Sequence, residues 1–251
     1  PCPPLAPSKP TFDPNPCRWL QPLLNTPKIE QRSSAGTTTA NTCATKNPVT
    51  GQKFQFKSIV KIVRIISGIN KGRSLVSLGK GDPSANLRPT SDRVRESIFN
   101  LLAAGRFGNR LENCRILDLF AGTGALGLEA LSRGATSVVF VDNGAHALQL
   151  LRKNIAICGA KNITQVFKAD ATKTLPQISE SDFDTVFIDP PYGKGLGQKA
   201  MQNLRECKML RTDTLIILEE GCEINAVEGF SIKDCRRYGS SYAHFLKLNI
   251  S

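Results

Sequence analysis

Between Arg115 and Glu220 the sequence repeats one unit: a short apolar run, then a longer stretch with apolar residues at helical spacing. The runs RILDLF (115–120), SVVFVD (137–142), QVFKAD (165–170), FDTVFID (183–189) and TLIILEE (214–220) are rich in branched and aromatic residues, as strands are. Helices are predicted over 124–133, 145–158 and 197–210, the first two closed by Gly134 and Gly159. Consecutive strands separated by helices pair in parallel, with right-handed crossovers that leave helices on both faces. Two last strands, near 231–238 and 243–249, flank YGSSY, which is short enough for an antiparallel hairpin. The expected fold is therefore α/β and Rossmann-like: a seven-stranded, mostly parallel sheet with an antiparallel C-terminal hairpin.

Upstream of this pattern the chain changes character. SIVKIVRIISG, the glycine-bracketed GINKG and RSLVSL predict a small basic β-hairpin, with its following loop, over 58–86. LRPTSDRVRESIFNLLAA then predicts a helix started by Pro-Thr-Ser-Asp, with Val94, Ile98, Leu101 and Leu102 on one face. It opens a main domain spanning 87–251. Residues 1–57 are rich in Pro, Ser, Thr and Asn, and a stretch such as SSAGTTTANTCATKNP buries too little surface to offset its ordering entropy. This hydroxylated, acid-poor composition is that of an organelle transit peptide rather than a secretory signal, and a plain disordered tail is the alternative. A chloroplast location is expected, with the mitochondrion as alternative.

The net charge of +12 is segregated. Residues 1–57 carry seven basic against two acidic residues, 58–110 ten against three, and 111–251 sixteen of each. A basic segment beside a neutral domain suits a polyanion, because Lys and Arg displace condensed counterions from phosphates; the alternative is a solvated face without a partner. The eight cysteines show no paired spacing and the only histidines are His146 and His244, so no metal is expected. Cysteines scattered through a domain of this size read as reduced, small hydrophobes. No uncharged apolar run is long enough to cross a bilayer.

Two stretches carry chemistry. In DLFAGTGALGLEAL (118–131), Gly122, Gly124 and Gly127 satisfy G-x-G-x-x-G between a strand and a helix, where glycine lets a ligand approach the backbone. Asp142, ending the next strand, would accept from a ribose diol, and so far a nicotinamide dinucleotide fits equally well. Asp118 separates the readings, since a carboxylate opening the loop attracts a cation and repels a pyrophosphate. Asp170-Ala171 ends a third strand at the same edge, and DPPYGKG (189–195) ends the fourth. A carboxylate followed by two prolines and an aromatic ring is an unusual strand exit, because each proline removes a donor and fixes a torsion.

Together these residues resemble the class I S-adenosylmethionine-dependent methyltransferases that modify exocyclic amines. RIISGINKGRSL (64–75), LRPTSDRVRESIFNLL (87–102), DLFAGTGALGLEALSRGA (118–135) and DPPYGKG resemble the RsmD family, which methylates N2 of a guanine in small-subunit ribosomal RNA. The similarity runs from about Arg64 to the C-terminus. It implies S-adenosylmethionine held by Arg88, Pro89 and Thr90, by Asp118 with Phe120, Ala121, Gly122, Thr123, Gly124 and Gly127, by Asp142 at the ribose, and by Asp170 and Ala171 at the adenine. Asp189, Pro190, Pro191 and Tyr192 would receive the target base, and Arg64, Lys71, Arg73, Arg88, Arg93 and Arg95 would contact RNA phosphates. A monomeric enzyme acting on ribosomal RNA or the small subunit is expected. Alternatives are an adenine-N6 DNA or RNA methyltransferase using the same DPPY, a noncatalytic RNA-binding assembly factor with this fold, and a nicotinamide oxidoreductase.

Overall fold

A computed structural model of the protein describes residues 63–77, 92–173, 175–176, 178 and 182–249, all within one unit, Gln55–Ser251. Residues 1–57, expected to be a transit peptide or a tail, and the Arg88-Pro89-Thr90 segment lie outside the described residues. The first elements are β1 (Val63–Arg64), β2 (Ser74–Leu75) and α1 (Asp92–Ala103). The alternating region follows as β3 (Arg115–Leu119), α2 (Ala125–Ser132), β4 (Ser137–Asp142), α3 (Ala145–Ile157), β5 (Thr164–Lys168), β6 (Thr185–Ile188), α4 (Leu196–Glu206) and β7 (Leu215–Glu220). The terminal hairpin is β8 (Phe230–Tyr238) and β9 (Ser241–Leu248), turned at Gly239-Ser240.

The seven-stranded sheet runs β5-β4-β3-β6-β7-β9-β8, parallel through β7 and antiparallel for the last two strands. From β3 the chain steps outward through β4 to β5, then returns to place β6 on the other side of β3. The loops leaving β3 and β6 therefore diverge from neighbouring strand ends, which in an open α/β sheet is where ligands bind. Both faces are covered, as the strand periodicity requires. Ile116, Val138, Phe140, Phe187 and Ile217 pack in one core layer with Phe99 and Leu102 of α1 and Leu128 of α2. Leu117, Leu119, Val141, Ile188 and Leu218 pack in the other with Ala200, Met201 and Leu204 of α4. Phe99 reaches Phe187 with ring centroids 5.5 Å apart.

The α1 helix corrects one expectation. Its buried residues are Arg95, Ile98, Phe99 and Leu102, an i, i+3, i+4, i+7 stripe, while Val94 and Leu101 only flank it. Reading Arg95 as polar turned the predicted face by about one position. Its guanidinium is 1% exposed and donates through Nη2 to the Arg64 carbonyl at 2.6 Å and to Asp92 at 3.0 Å. Arg95 thus ties α1 to the hairpin and has no face left for an RNA phosphate. Burial pulls its pKa down, offset in part by Asp92 and Glu129.

The hairpin is fastened to α2 by residues that composition alone does not single out. Glu129, fully buried, accepts Ile66 N–H at 2.7 Å, Ser67 N–H at 3.0 Å and Arg133 Nε–H at 2.7 Å. Ser132 Oγ accepts Asn70 N–H at 2.9 Å, and the Ser132 carbonyl accepts Ile69 N–H at 2.8 Å. Hydrogen bonds to a charged group contribute about 1.5–3 kcal/mol each, so this is a firm attachment. Ser132 ends α2 five residues before β4 begins, so the 66–70 turn docks toward the amino edge of the sheet, away from the strand ends that carry the acids.

His244 on β9 is fully buried between β7 and the segment after it. Nε2 accepts Ile224 N–H at 3.0 Å while Nδ1 faces the Leu218 carbonyl at 3.4 Å, an arrangement only the neutral imidazole satisfies. Burial lowers its pKa from the ordinary 6.5. The unfolded chain then takes up the proton first as pH falls, so the His244 contribution is complete above 6.5 and is lost progressively below it. Denaturant titrations at a series of pH values should show wild type losing stability on acidification relative to His244→Gln. Parallel pH profiles for the two proteins would refute this role.

Candidate active site

The carboxyl edge of the sheet collects acids from five neighbouring strands. In spatial order they are Asp170 just beyond β5, Asp142 at the end of β4, Asp118 in β3, Asp189 just after β6, and Glu219 with Glu220 at the end of β7. Leu119 pairs with Ile188, and Asp189 N–H reaches the Leu119 carbonyl at 3.5 Å, so the glycine loop and DPPY leave the sheet side by side.

The glycine loop is held from below and beside. Asp118 is 1% exposed, and its Oδ2 accepts Gly127 N–H at 2.9 Å, which fixes the first turn of α2 to β3. Its place is thus under the loop, where burial, and secondarily Asp142, push its pKa up to about 7 against the pull of the Gly127 amide. Phe120 follows at φ 59°, a left-handed conformation that is strained for an aromatic residue, and Gly122 and Gly124 turn the chain at φ 55° and 82°. Gly127 permits close packing on β4, because a Cβ there would lie 2.4 Å from Phe140 Cε1. Ala121 N–H reaches the Val141 carbonyl at 3.1 Å, and the Thr123 carbonyl accepts Asn154 Nδ2–H at 2.9 Å. Asn154, fully buried on α3, also exchanges two hydrogen bonds with the backbone of Val76.

Asp142 bridges two backbone donors, Gly122 N–H to Oδ2 at 2.8 Å and Gly144 N–H to Oδ1 at 2.7 Å. Each carboxylate oxygen keeps further lone-pair capacity, as a vicinal diol needs. Asp170 Oδ1 accepts both N–H and Oγ1–H of Thr172, which together hold its carboxyl below the usual range, while Lys173 pairs with Oδ2 at 3.5 Å. Ala171 is buried, and its carbonyl accepts Asn203 Nδ2–H of α4 at 2.9 Å. A left-handed glycine turn beneath a diol acceptor, with a second acid one strand further along, fits S-adenosylmethionine.

On the other side of the switch, Asp189 and Tyr192 are half-buried and Pro190 is buried, with Pro191 between them. The loop turns at Gly193 and Gly195, both at positive φ, and Gly195 caps α4. Tyr192 Oη donates to Glu219 Oε1 at 2.6 Å. Sequence reasoning missed Glu219 and Glu220, which are 4% and 2% exposed. The signal was present, since two acids closing an otherwise apolar strand raise the same question as Asp189 does.

The expected phosphate contacts scatter. Arg64 is exposed and pairs with Asp92 at 3.3 Å, and Arg93 is exposed on α1. Lys71 and Arg73 are exposed on the hairpin turn, where Arg73 Nη1 also donates to the Ile157 carbonyl. Arg95 is buried as described, and Arg88, like Pro89 and Thr90, lies outside the described residues. Among the described residues no cluster of His, Cys, Asp or Glu could hold a metal ion, and no helix is long and apolar enough to cross a membrane.

A family model described as Conserved hypothetical protein 95 matches residues 63–247. Ribosomal RNA small subunit methyltransferase D of Escherichia coli is 38% identical over 161 residues, covering 64% of this chain and 76% of that protein. The YlbH protein of Bacillus subtilis is 38% identical over 168 residues, covering 66% and 86%. The solved structure of YhhF from Escherichia coli superposes with a TM-score of 0.61 at 32% identity, covering 74% of this chain and 98% of that one. With the glycine loop, the strand-end acids and DPPY at one edge of the sheet, the chain belongs to the Conserved hypothetical protein 95 family, the RsmD-like S-adenosylmethionine-dependent methyltransferases.

Proposed function

We propose that this protein transfers a methyl group from S-adenosylmethionine to the exocyclic N2 amine of a guanine in small-subunit ribosomal RNA. The observation that carries the reading is the adjacency of the glycine loop and DPPY at the switch point between β3 and β6. When bound, S-adenosylmethionine supplies an electrophilic methyl group on a sulfonium that needs no metal for activation. The aryl amine is a poor nucleophile because its lone pair is delocalised into the ring. Hydrogen bonds from the amine to the Asp189 carboxylate and the Pro190 carbonyl favour a pyramidal nitrogen and direct its lone pair toward the glycine loop. Two consecutive prolines fix that carbonyl and offer no N–H to compete for it. Tyr192 supplies a ring on which the extruded base stacks, since a base must leave its helix or loop to be reached. Holding both reactants in line is the main catalytic contribution.

Guanine rather than adenine as target rests on the small-subunit methyltransferases that this chain resembles, because DPPY itself accepts either amine. Labelled methyl transfer to small-subunit particles, naked ribosomal RNA and DNA, followed by nucleoside identification, tests the assignment. N2-methylguanosine is expected, and N6-methyladenosine would overturn it. Cosubstrate binding without transfer to any substrate would instead indicate a noncatalytic RNA-binding protein. Affinity for the RNA should fall steeply with added salt if Arg64, Lys71, Arg73 and Arg93 meet phosphates, with a log–log slope of about −0.7 per neutralised phosphate on single strands. The hydroxylated, acid-poor leader supports delivery to a chloroplast, and imaging a fluorescent fusion of the full chain beside one lacking residues 1–57 tests that placement.

A further inference from the structure

The DPPY loop does not stand alone at the edge of the sheet, because the end of the next strand grips it at three points. Glu219 Oε1 accepts the Tyr192 hydroxyl at 2.6 Å, short enough for a charge-assisted bond. Glu220 Oε2 faces Gly193 N–H at 3.4 Å and Gly221 N–H at 3.3 Å. Gly221 lies against the Tyr192 ring, where a Cβ would come within 3.1 Å of Cδ2 and 3.3 Å of the tyrosine Cβ. Both glutamates are almost completely buried, and a buried carboxylate is costly unless a function or a partner retains it.

We propose that Glu219-Glu220-Gly221 is a positioning element of the reaction, in which Glu219 fixes the Tyr192 ring as a preformed platform for the target base. The inference rests on reading Tyr192 as the stacking surface. An unanchored tyrosine must give up rotamer freedom each time a base docks, whereas this ring is already held by its hydroxyl at one end and by a bare glycine alongside it. The bond has one direction only. Burial first, then the neighbouring Asp189 and Glu219 charges, push the phenol pKa far above its ordinary value, so Tyr192 stays a donor throughout the working range. The arrangement also explains why β7 ends in two acids and a glycine instead of continuing its apolar run.

Steady-state methylation of small-subunit particles, with calorimetric binding of S-adenosylmethionine and thermal unfolding measured in parallel, tests this. Glu219→Ala should raise KM for the particle by about tenfold, as loss of a hydrogen bond to a charged group predicts, with kcat and cosubstrate affinity nearly unchanged. Glu219→Gln keeps an acceptor in place and should recover most of the loss. Tyr192→Phe should lose at least as much as Glu219→Ala, because it also gives up the hydroxyl contact with Ser241, and the double variant should be no worse than Tyr192→Phe alone, because Glu219 then has no hydroxyl left to hold. Additive effects of the two substitutions, or a Glu219→Ala defect confined to thermal stability, would overturn the proposal. If Glu219→Ala does not fold, Tyr192→Phe measured beside Glu219→Gln decides the same question. Tyr192→Ala separates the two levels. Unchanged KM in that variant removes the stacking reading itself, whereas a raised KM there with an inert Glu219→Ala removes only the positioning role.

Discussion

Asp189→Ala is expected to lower methyl transfer by about 10³-fold while leaving the dissociation constant for S-adenosylmethionine within a small factor of wild type. The two effects separate because Asp189 stands at the exit of β6, on the base side of the switch point, while the glycine loop, Asp142 and Asp170 sit on β3 to β5. Truncating the carboxylate removes one of the two acceptors proposed to orient the amine and leaves only the Pro190 carbonyl. Asp189→Asn should fall between the two, since the amide oxygen still accepts one hydrogen bond but carries no charge. Single-turnover assays with calorimetric cosubstrate binding check both numbers. Full turnover by Asp189→Ala would end the amine-receptor reading of DPPY, and a large loss of cosubstrate affinity would move Asp189 to the other half of the site.

Gly68→Ala should be the most damaging substitution of a single methyl group outside the crevice. Gly68 sits at φ +81°, and a Cβ would lie 1.6 Å from the Ser132 carbonyl oxygen and 2.2 Å from its carbon, which are backbone atoms of α2 that cannot rotate away. The turn must lift off, losing the Ile69 and Asn70 bonds to Ser132 and straining the two that end on Glu129. A loss of about 3 kcal/mol or more in chemical denaturation is expected, from left-handed strain together with a broken buried network. Because the turn docks near the amino edge, the folded fraction should still bind S-adenosylmethionine normally. Gly72, at φ +83° in the same loop, is the control, because a Cβ there would meet nothing within 4 Å: Gly72→Ala should cost only the backbone strain.

These two residues mark how far the sequence could be read. The βα alternation fixes strand and helix positions to within one to three residues almost everywhere, because a strand buried on both faces has to be a continuous apolar run. The hairpin was legible from its glycines, and its described pairing is Val63 with Leu75 and Arg64 with Ser74. The glycine loop and DPPY were legible because each breaks a local rule at a strand end, and rule-breaking at that position is what a site requires. Arg95 misled, since a guanidinium in a basic segment reads as solvated until its partners are known. Glu129, Ser132 and Asn154 were invisible as functional residues, because polar residues on a helix look like its wet face until another segment of chain is laid across them.

The sequence by itself determined the secondary structure, the parallel sheet and the motifs that leave its strands, because those follow from periodicity and from the backbone demands of Gly and Pro. Tertiary structure decided which motifs are neighbours. It set β3 beside β6, so that Asp189 lies next to the glycine loop, and it brought the end of β7 against Tyr192. It buried Arg95 and set Arg73 against the Ile157 carbonyl at the end of α3. Strand order is a choice among long-range pairings with similar local patterns, so only the folded chain, in which packing and buried hydrogen bonds are satisfied together, discriminates between them.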